Sequence, residues 1–208
     1  RDLVSDKASF KQIKKFIENK KQNEKLFIYN VTIQNHSGYS QDFGLKDVYS
    51  EIYKDNLELT QYLTLINESD IAIKEFIDYI DTLNEPTLVC IFGDHFPNVL
   101  ETIGLDTSNL EINEKQKLFT TPFLIHTNYD IEEKTFDNTI SLSYLSGLVM
   151  DYSNLEKSKE QQLISNFMNK YPLINANGYK TDNEWNISNE YEKDLKLWRD
   201  LTYSYLSK

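Results

Sequence analysis

Residues 88–97 read LVCIFGDHFP, and this stretch decides the fold of the 208-residue chain. Its first half is a short apolar run, rich in β-branched and aromatic side chains, which predicts a buried strand over residues 87–92. Gly93 ends the run, and Asp94 and His95 follow where the chain is expected to turn. Ligands of open α/β sheets bind at the carboxyl ends of strands, so Asp94 and His95 are the first candidate functional residues.

Two further segments resemble this one. Residues 26–33 read LFIYNVTI and predict a second strand buried on both faces, with Asn35 and His36 just after its end. Residues 122–126 predict a third strand, which ends in His126. Apolar residues at helical spacing predict helices over residues 6–21, 48–83, 155–170 and 188–206. Long connections between the strands indicate an α/β fold with a mostly parallel central sheet flanked by helices.

Composition limits the function classes. The chain is 39% hydrophobic and 26% charged, with 6 Gly and 4 Pro, which excludes a disordered or low-complexity protein. A net charge of −11 makes nucleic-acid binding unfavourable, and an acidic protein that handles phosphate needs a local cation such as a metal ion. The single cysteine, Cys90, lies inside a predicted strand and is interpreted as an inert core residue. No apolar run reaches the ~18 residues that span a bilayer.

The three histidines of the chain all fall at predicted strand ends. The carboxylate of Asp94 and the imidazole of His95 suit Zn²⁺, Mn²⁺ or Fe²⁺ better than Ca²⁺, but two ligands are too few for a site. The alternative is an ordinary turn with a surface histidine. His36 is either a plain loop residue or part of the same site, and His126 is interpreted as a strand-end imidazole with a structural partner.

Two other observations bear on function. Asp70 falls on the apolar stripe of the second predicted helix, where a hydrogen bond to a neighbouring loop or helix end is the expected role. The chain contains no Gly-rich phosphate loop, Gly-x-Ser-x-Gly turn, Cys-x-x-Cys pair or His-Glu-x-x-His helix. Nucleotide-binding and serine-hydrolase functions therefore gain little support.

Taken together, several motifs resemble the sulfatase-like phosphoglycerol transferases, the lipoteichoic acid synthase-like family of the alkaline phosphatase superfamily. The family has an Asn-His-x-x-Tyr element after one strand and a Gly-Asp-His-x-Pro element after another. Here these elements lie within NVTIQNHSGY (30–39) and LVCIFGDHFP (88–97), with His36 and His95 separated by 59 positions. The segments SDIAIKEFI (69–77), TPFLI (121–125), ISLSYL (140–145) and LWRDLTY (197–203) are also similar, so the resemblance covers essentially the whole chain.

The resemblance implies roles for three residues. Asp94 and His95 would bind a divalent metal, most often Mn²⁺, with Zn²⁺ or Mg²⁺ as alternatives. His36 would contact the substrate phosphate near the leaving group. The family's threonine nucleophile and glutamate ligand lie upstream of these motifs and have no match here. The chain does not begin with Met, and we expect residues 1–208 to be the C-terminal portion of a single sulfatase-like catalytic domain, inactive by itself.

The implied activity is transfer of a phosphoglycerol or phosphoethanolamine group from a lipid headgroup to a cell-envelope glycan or lipid acceptor, through the threonine outside this chain. The implied location is the outer face of a bacterial cell membrane, with membrane attachment through N-terminal segments that are not in this sequence and with no nucleic-acid partner. The alternatives are a sulfatase or phosphodiesterase of the same superfamily and a non-catalytic binding module that kept the fold. Asp94, His95 and His36 are further predicted to face one cleft.

Overall fold

The computed structural model describes residues 2–206 apart from 105, 107, 134–138, 176–177, 182–183 and 187–192. Contacts divide the chain into two compact units. The first unit combines Arg1–Glu85 with His95–Leu110, and the second combines Pro86–Asp94 with Glu111–Lys208. In the part of the chain that is described, no helix is both long enough and apolar enough to cross a membrane.

The first unit opens with helix α1, Asp6–Asn19. Ser5 caps its start, because the Ser5 hydroxyl accepts a hydrogen bond from the Ala8 amide at 3.2 Å. Phe10 is the buried apolar residue of α1, and its ring stacks on Phe76 at a centroid distance of 4.9 Å. The predicted first helix is therefore confirmed.

Helix α2, Leu57–Ile80, forms the long element of the first unit. The predicted start at residue 48 is wrong, because Asn56 ends the irregular segment and caps the helix through its side-chain oxygen, 3.0 Å from the Leu59 amide. The buried face runs through Gln61, Leu65, Ser69, Ala72, Phe76 and Ile80. Asp70 is exposed, so the placement of Asp70 on the apolar stripe is wrong, and the polar residue on the buried stripe is Ser69.

Residues 26–33 do not form the predicted strand. They carry no strand pairing and are exposed throughout, with Phe27 at 89% and Val31 at 73% exposure. A strand is stabilised by hydrogen bonds to a neighbouring strand, and composition alone does not supply that neighbour. The apolar side chains of this segment accordingly remain on the surface of the described structure.

The core of the first unit joins its loops to α2. Tyr39, Leu65 and Val99 form a buried cluster, with Leu45, Leu59 and Tyr62 packed against it. Val99 belongs to a 3₁₀ helix, Asn98–Ile103. The loop that follows His36 is thus packed into the core through Tyr39.

The second unit contains strands β1, Leu88–Phe92, and β2, Phe123–Thr127, where the sequence predicted strands. They pair antiparallel, with Leu88 opposite Thr127 and Phe92 opposite Phe123. The expectation of mostly parallel pairing is wrong for the described strands, which pair antiparallel throughout. The described residues between β1 and β2 form short helical turns, including α3, Ile112–Lys117, and no crossover helix that would return the chain to the opposite end.

The rest of the second unit is helical with a small second sheet. A 3₁₀ turn, Leu142–Tyr144, leads into α4, Leu145–Tyr152, and then α5, Lys159–Lys170. Strands β3, Leu173–Asn175, β4, Gly178–Thr181, and β5, Glu184–Asn186, pair in that order. Helix α6, Lys193–Leu206, closes the chain, and its predicted start at 188 lies outside the described residues.

The core of the second unit is aromatic. Tyr144, Phe167, Tyr171 and Tyr179 form a buried cluster, and the Tyr144 hydroxyl donates to the Tyr171 carbonyl at 2.7 Å. Burial raises the pKa of Tyr144 well above its ordinary value, so this phenol stays protonated and keeps donating. Helices and strands together make up this unit, and the predicted α/β class is confirmed.

Candidate functional site

Gly93 follows the end of strand β1 and is hydrogen-bonded to the segment just before β2. The Gly93 amide donates to the Pro122 carbonyl at 3.1 Å, and the Thr121 hydroxyl donates to the Gly93 carbonyl at 2.8 Å. A Cβ at position 93 would lie 2.9 Å from the Thr121 Cβ, closer than such atoms approach. Glycine is therefore required here for close packing, and the chain leaves the sheet at this point.

Asp94 and His95 follow this strand end, and both are exposed. Burial of either side chain in the core would have excluded it as a metal ligand, and neither side chain is buried. His95 Nδ1 lies 2.8 Å from the Phe96 carbonyl oxygen. A carbonyl only accepts, so this contact assigns the proton to Nδ1 and leaves the lone pair on Nε2.

This donor set fits a divalent metal. Metal-bound histidines commonly donate their second ring N–H to a carbonyl, which fixes the tautomer and the ring orientation, and His95 has that arrangement. Asp94 adds a carboxylate, the hard ligand that Mn²⁺ and Mg²⁺ favour. Within the residues that the structure describes, no group of three or more His, Cys, Asp or Glu side chains is gathered as a metal site. The metal role of Asp94 and His95 stays a prediction.

His36 lies in a tightly held loop. Its amide donates to the Ile33 carbonyl at 3.1 Å, closing a turn, and its side chain is exposed. On one side, the Asn35 side-chain amide donates to the Ser69 hydroxyl on α2 at 2.8 Å. On the other side, the buried Tyr39 donates its hydroxyl to the Asn35 carbonyl. The Asn and Tyr of the Asn-His-x-x-Tyr motif thus fix the loop, and the His between them faces outward.

Sequence analysis missed the residues that hold this loop. Gln34 and Gln61 are both buried. The Gln34 side chain donates to the Leu65 carbonyl on α2, the Gln61 side chain donates to the Tyr39 carbonyl, and Ser69 accepts from the Asn35 side chain. The available signal was that Gln61 and Ser69 are polar although their helical spacing places them on one face with the apolar residues at 65, 72, 76 and 80. Buried polar side chains at such positions have hydrogen-bond partners, and loops are common partners.

The remaining candidates, His126 and Cys90, lie within the β1–β2 pair. His126 lies within β2, opposite Val89 in β1, which agrees with a structural imidazole. Cys90 lies opposite Ile125, and burial raises the pKa of its thiol, which keeps it in the unreactive protonated form. The prediction that Asp94, His95 and His36 face one cleft stays a prediction.

Comparison with known proteins identifies the fold. No match was found among curated proteins. Among solved structures, the chain is similar to the Streptococcus pyogenes phosphoglycerol transferase GacH in complex with sn-glycerol-1-phosphate, at 20% identity and a TM-score of 0.65. The match covers 97% of this chain and 49% of that one, so the chain spans about half the length of GacH. At this identity the likeness shows a shared fold, and the partial coverage of GacH is consistent with the predicted partial domain.

The sulfatase family model matches residues 2–155, a range that includes α1, α2, the His36 loop and both strands of the β1–β2 pair. This range is well over half of the 208 residues. The chain therefore belongs to the sulfatase family.

Proposed function

We propose that this chain is part of a metal-dependent transferase that moves phosphoglycerol, or phosphoethanolamine, from a lipid headgroup to a cell-envelope glycan or lipid. The attacking group would be a threonine outside these 208 residues, and the chain alone would be inactive. The enzyme would act at the outer face of a bacterial cell membrane, attached through segments outside this sequence. Nucleic acid is not an expected partner, because the net charge of −11 opposes it.

One observation carries this proposal: the sulfatase family match spans His36, Asp94 and His95, and all three side chains are exposed. Asp94 and His95 follow strand β1, and His36 lies in a hydrogen-bonded turn. The likeness to GacH, a phosphoglycerol transferase, favours transfer of a phosphoglycerol group over other reactions of the family. Exposure matters because a metal ligand and a phosphate contact must reach a substrate that arrives from solvent.

In the proposed site, Asp94 Oδ and His95 Nε2 would hold a divalent cation, with Mn²⁺ preferred. When bound, the cation lowers the pKa of a coordinated hydroxyl and offsets the negative charge of a phosphate. The contact of His95 Nδ1 with the Phe96 carbonyl favours the tautomer in which Nε2 is the metal-binding nitrogen. His36 would donate a hydrogen bond to a phosphate oxygen from a loop that cannot easily move, so orientation is maintained without a reorganisation cost.

Headgroup-transfer assays on the full-length protein test this proposal. With an acceptor present, Asp94→Ala and His95→Gln are expected to abolish the Mn²⁺-dependent transfer of phosphoglycerol from phosphatidylglycerol vesicles, measured as the diacylglycerol that is left. Asp47→Asn, at another exposed aspartate, and His126→Gln, within β2, serve as matched controls and should retain activity. Equal activity in Asp94→Ala and Asp47→Asn would refute the metal assignment.

A sulfatase or phosphodiesterase activity is the second candidate, because the matching family model is that of sulfatases in general. Assays with and without an acceptor distinguish the two: acceptor-dependent product formation indicates transfer, and release that water alone supports indicates hydrolysis. Neither product, together with an upstream sequence that lacks a threonine nucleophile and a glutamate ligand, would indicate a non-catalytic binding module instead.

Calorimetric titration of the 208-residue chain with Mn²⁺ tests the metal proposal independently. A carboxylate and an imidazole supply only part of a shell of four to six ligands, so weak binding is expected. A Kd below about 1 μM, equivalent to about −8 kcal/mol, would show that the chain contains further ligands.

A further inference from the structure

We infer that Ser69 is a positioning residue for His36: its buried hydroxyl ties the turn that carries His36 to helices α1 and α2. The inference rests on the proposed function only in giving His36 a phosphate to bind. The hydrogen bonds of Ser69 are seen in the structure whether or not His36 binds phosphate. All the residues concerned belong to the first unit.

Three side chains converge on the Ser69 hydroxyl. Asn35 Nδ2 donates to Ser69 Oγ at 2.8 Å, and Gln34 Nε2 donates to the same oxygen at 3.3 Å. Ser69 Oγ in turn donates to Asp6 Oδ2 at 2.6 Å. A hydroxyl offers one proton and two lone pairs, so these contacts use its full capacity.

The turn is also joined to both helices directly. Gln34 Oε1 accepts from the Asp6 amide at 2.9 Å, at the first turn of α1. Gln34 Nε2 also donates to the Leu65 carbonyl on α2 at 3.1 Å. The two residues that precede His36 are therefore bonded to α1, to α2 and to the hydroxyl between them.

Burial makes these bonds strong. Asp6 is 4% exposed, Gln34 and Ser69 are each 6% exposed, and water does not compete effectively at such positions. Polarisation of the Ser69 hydroxyl by Asp6 increases its capacity to accept from Asn35.

The geometry has a consequence for His36. The Asn35 side chain is held by Ser69 and its carbonyl is held by Tyr39, so the residue next to His36 is restrained at both ends. The His36 side chain itself is exposed. A rigid backbone beneath an exposed imidazole limits the directions in which that ring can present a nitrogen to a phosphate oxygen.

The test compares Ser69→Ala with Thr64→Val in the 208-residue chain. Thr64 is a matched control because it is a fully buried hydroxyl on the same helix that also bonds a loop, at Val48 rather than at Asn35. Asn35→Ala is a second variant that removes one bond to Ser69 and leaves the core of α2 intact. Each variant is measured by amide hydrogen exchange and by the His36 ring signal in NMR during titration with sn-glycerol 1-phosphate.

Ser69→Ala and Asn35→Ala are expected to speed exchange at the His36 amide by about tenfold relative to Thr64→Val, the equivalent of about one hydrogen bond. They should also weaken the glycerol phosphate affinity reported by His36 by about tenfold. Thr64→Val should speed exchange near residue 48 and leave that affinity within about twofold of the unsubstituted chain.

Two results would overturn the inference. The first is an equal rate of hydrogen exchange at the His36 amide in Ser69→Ala and Thr64→Val. The other is a phosphate affinity that falls equally in both variants, which would show a general loss of stability. If the unsubstituted chain gives no His36 response to glycerol phosphate, the proposed phosphate role of His36 fails, and the exchange comparison still decides whether Ser69 holds the loop.

Discussion

Gln61→Ala should be among the most destabilising single changes in the first unit. The Gln61 side chain is fully buried. Its Nε2 donates to the Tyr39 carbonyl at 2.6 Å and to the Gln41 carbonyl at 2.9 Å, and its Oε1 accepts from the Phe43 amide at 2.7 Å. One side chain on α2 thus bonds to three backbone groups of the loop over residues 39–43.

The magnitude follows from these bonds. Each contributes about 0.5–1.5 kcal/mol net, so removing all three costs about 1.5–4.5 kcal/mol. Buried backbone groups left without a partner push the value upward, and relaxation of the loop toward water lowers it. We expect the free energy of unfolding of the first unit to fall by about 3 kcal/mol in Gln61→Ala.

The assay must report on the first unit. Both tryptophans, Trp185 and Trp198, lie in the second unit, so their fluorescence follows that unit only. Urea unfolding should therefore be followed by hydrogen exchange of peptides that span residues 34–45, which lie in the first unit. Gln41→Ala is the matched control, because the Gln41 side chain is exposed, and it should change stability by no more than about 0.5 kcal/mol.

Gln61→Glu sharpens the test. The glutamate keeps the acceptor for the Phe43 amide but replaces both donors with a carboxylate oxygen that faces the carbonyls of Tyr39 and Gln41. At neutral pH it should destabilise the first unit at least as much as Gln61→Ala. A Gln61→Glu variant as stable as the unsubstituted protein would refute the reasoning, because it would show that the two Nε2 bonds contribute nothing.

Three further changes have defined outcomes. Phe10→Ala removes a buried stacked ring and should lower the free energy of unfolding by about 3–5 kcal/mol in urea denaturation. Gly93→Ala forces a Cβ against Thr121 and should cost about 1–3 kcal/mol, measured as thermal unfolding of the second unit. A hydrogen bond from Lys20, 2.6 Å away, holds the pKa of Glu85 below its ordinary value of 4.5. The stability that this ion pair contributes is present above pH 4.5 and is lost as the pH falls through the lowered folded-state pKa, so Glu85→Gln should flatten that part of the pH–stability curve.

Controls for these changes come from the same chain. Phe16→Ala, at a ring on α1 that is 54% exposed, should cost far less than Phe10→Ala. Glu51→Gln, at an exposed glutamate of the first unit, should leave the acid side of the curve in place. Gly93→Ala with unchanged thermal stability would contradict the close approach of the two backbone segments, and equal costs at Phe10 and Phe16 would contradict the stacked core.

Local sequence patterns predicted the elements that are marked by features within their own segment, such as a cap, apolar spacing or a short apolar run. Helix α1 follows from its cap and its apolar spacing, and β1 and β2 follow from short apolar runs bounded by glycine or proline. The strands β3 to β5 were missed because they are three or four residues long and largely polar, below the length at which alternation is detectable. Residues 26–33 have the composition of a strand but no partner in the described structure, and pairing is a tertiary property.

For the site, the sequence by itself supplied the candidate residues His36, Asp94 and His95. The resemblance of their motifs, in order and spacing, to those of the sulfatase-like family predicted a sulfatase-like fold, and the family match confirms it. Only the tertiary structure decided how the His36 loop is held. Ser69 lies 34 positions from Asn35 and Asp6 lies 63 from Ser69, so their contacts depend on how α1 and α2 pack. Hydrogen bonds between such distant residues form only after loop-closure entropy has been overcome by the rest of the core, and no local pattern reports that outcome.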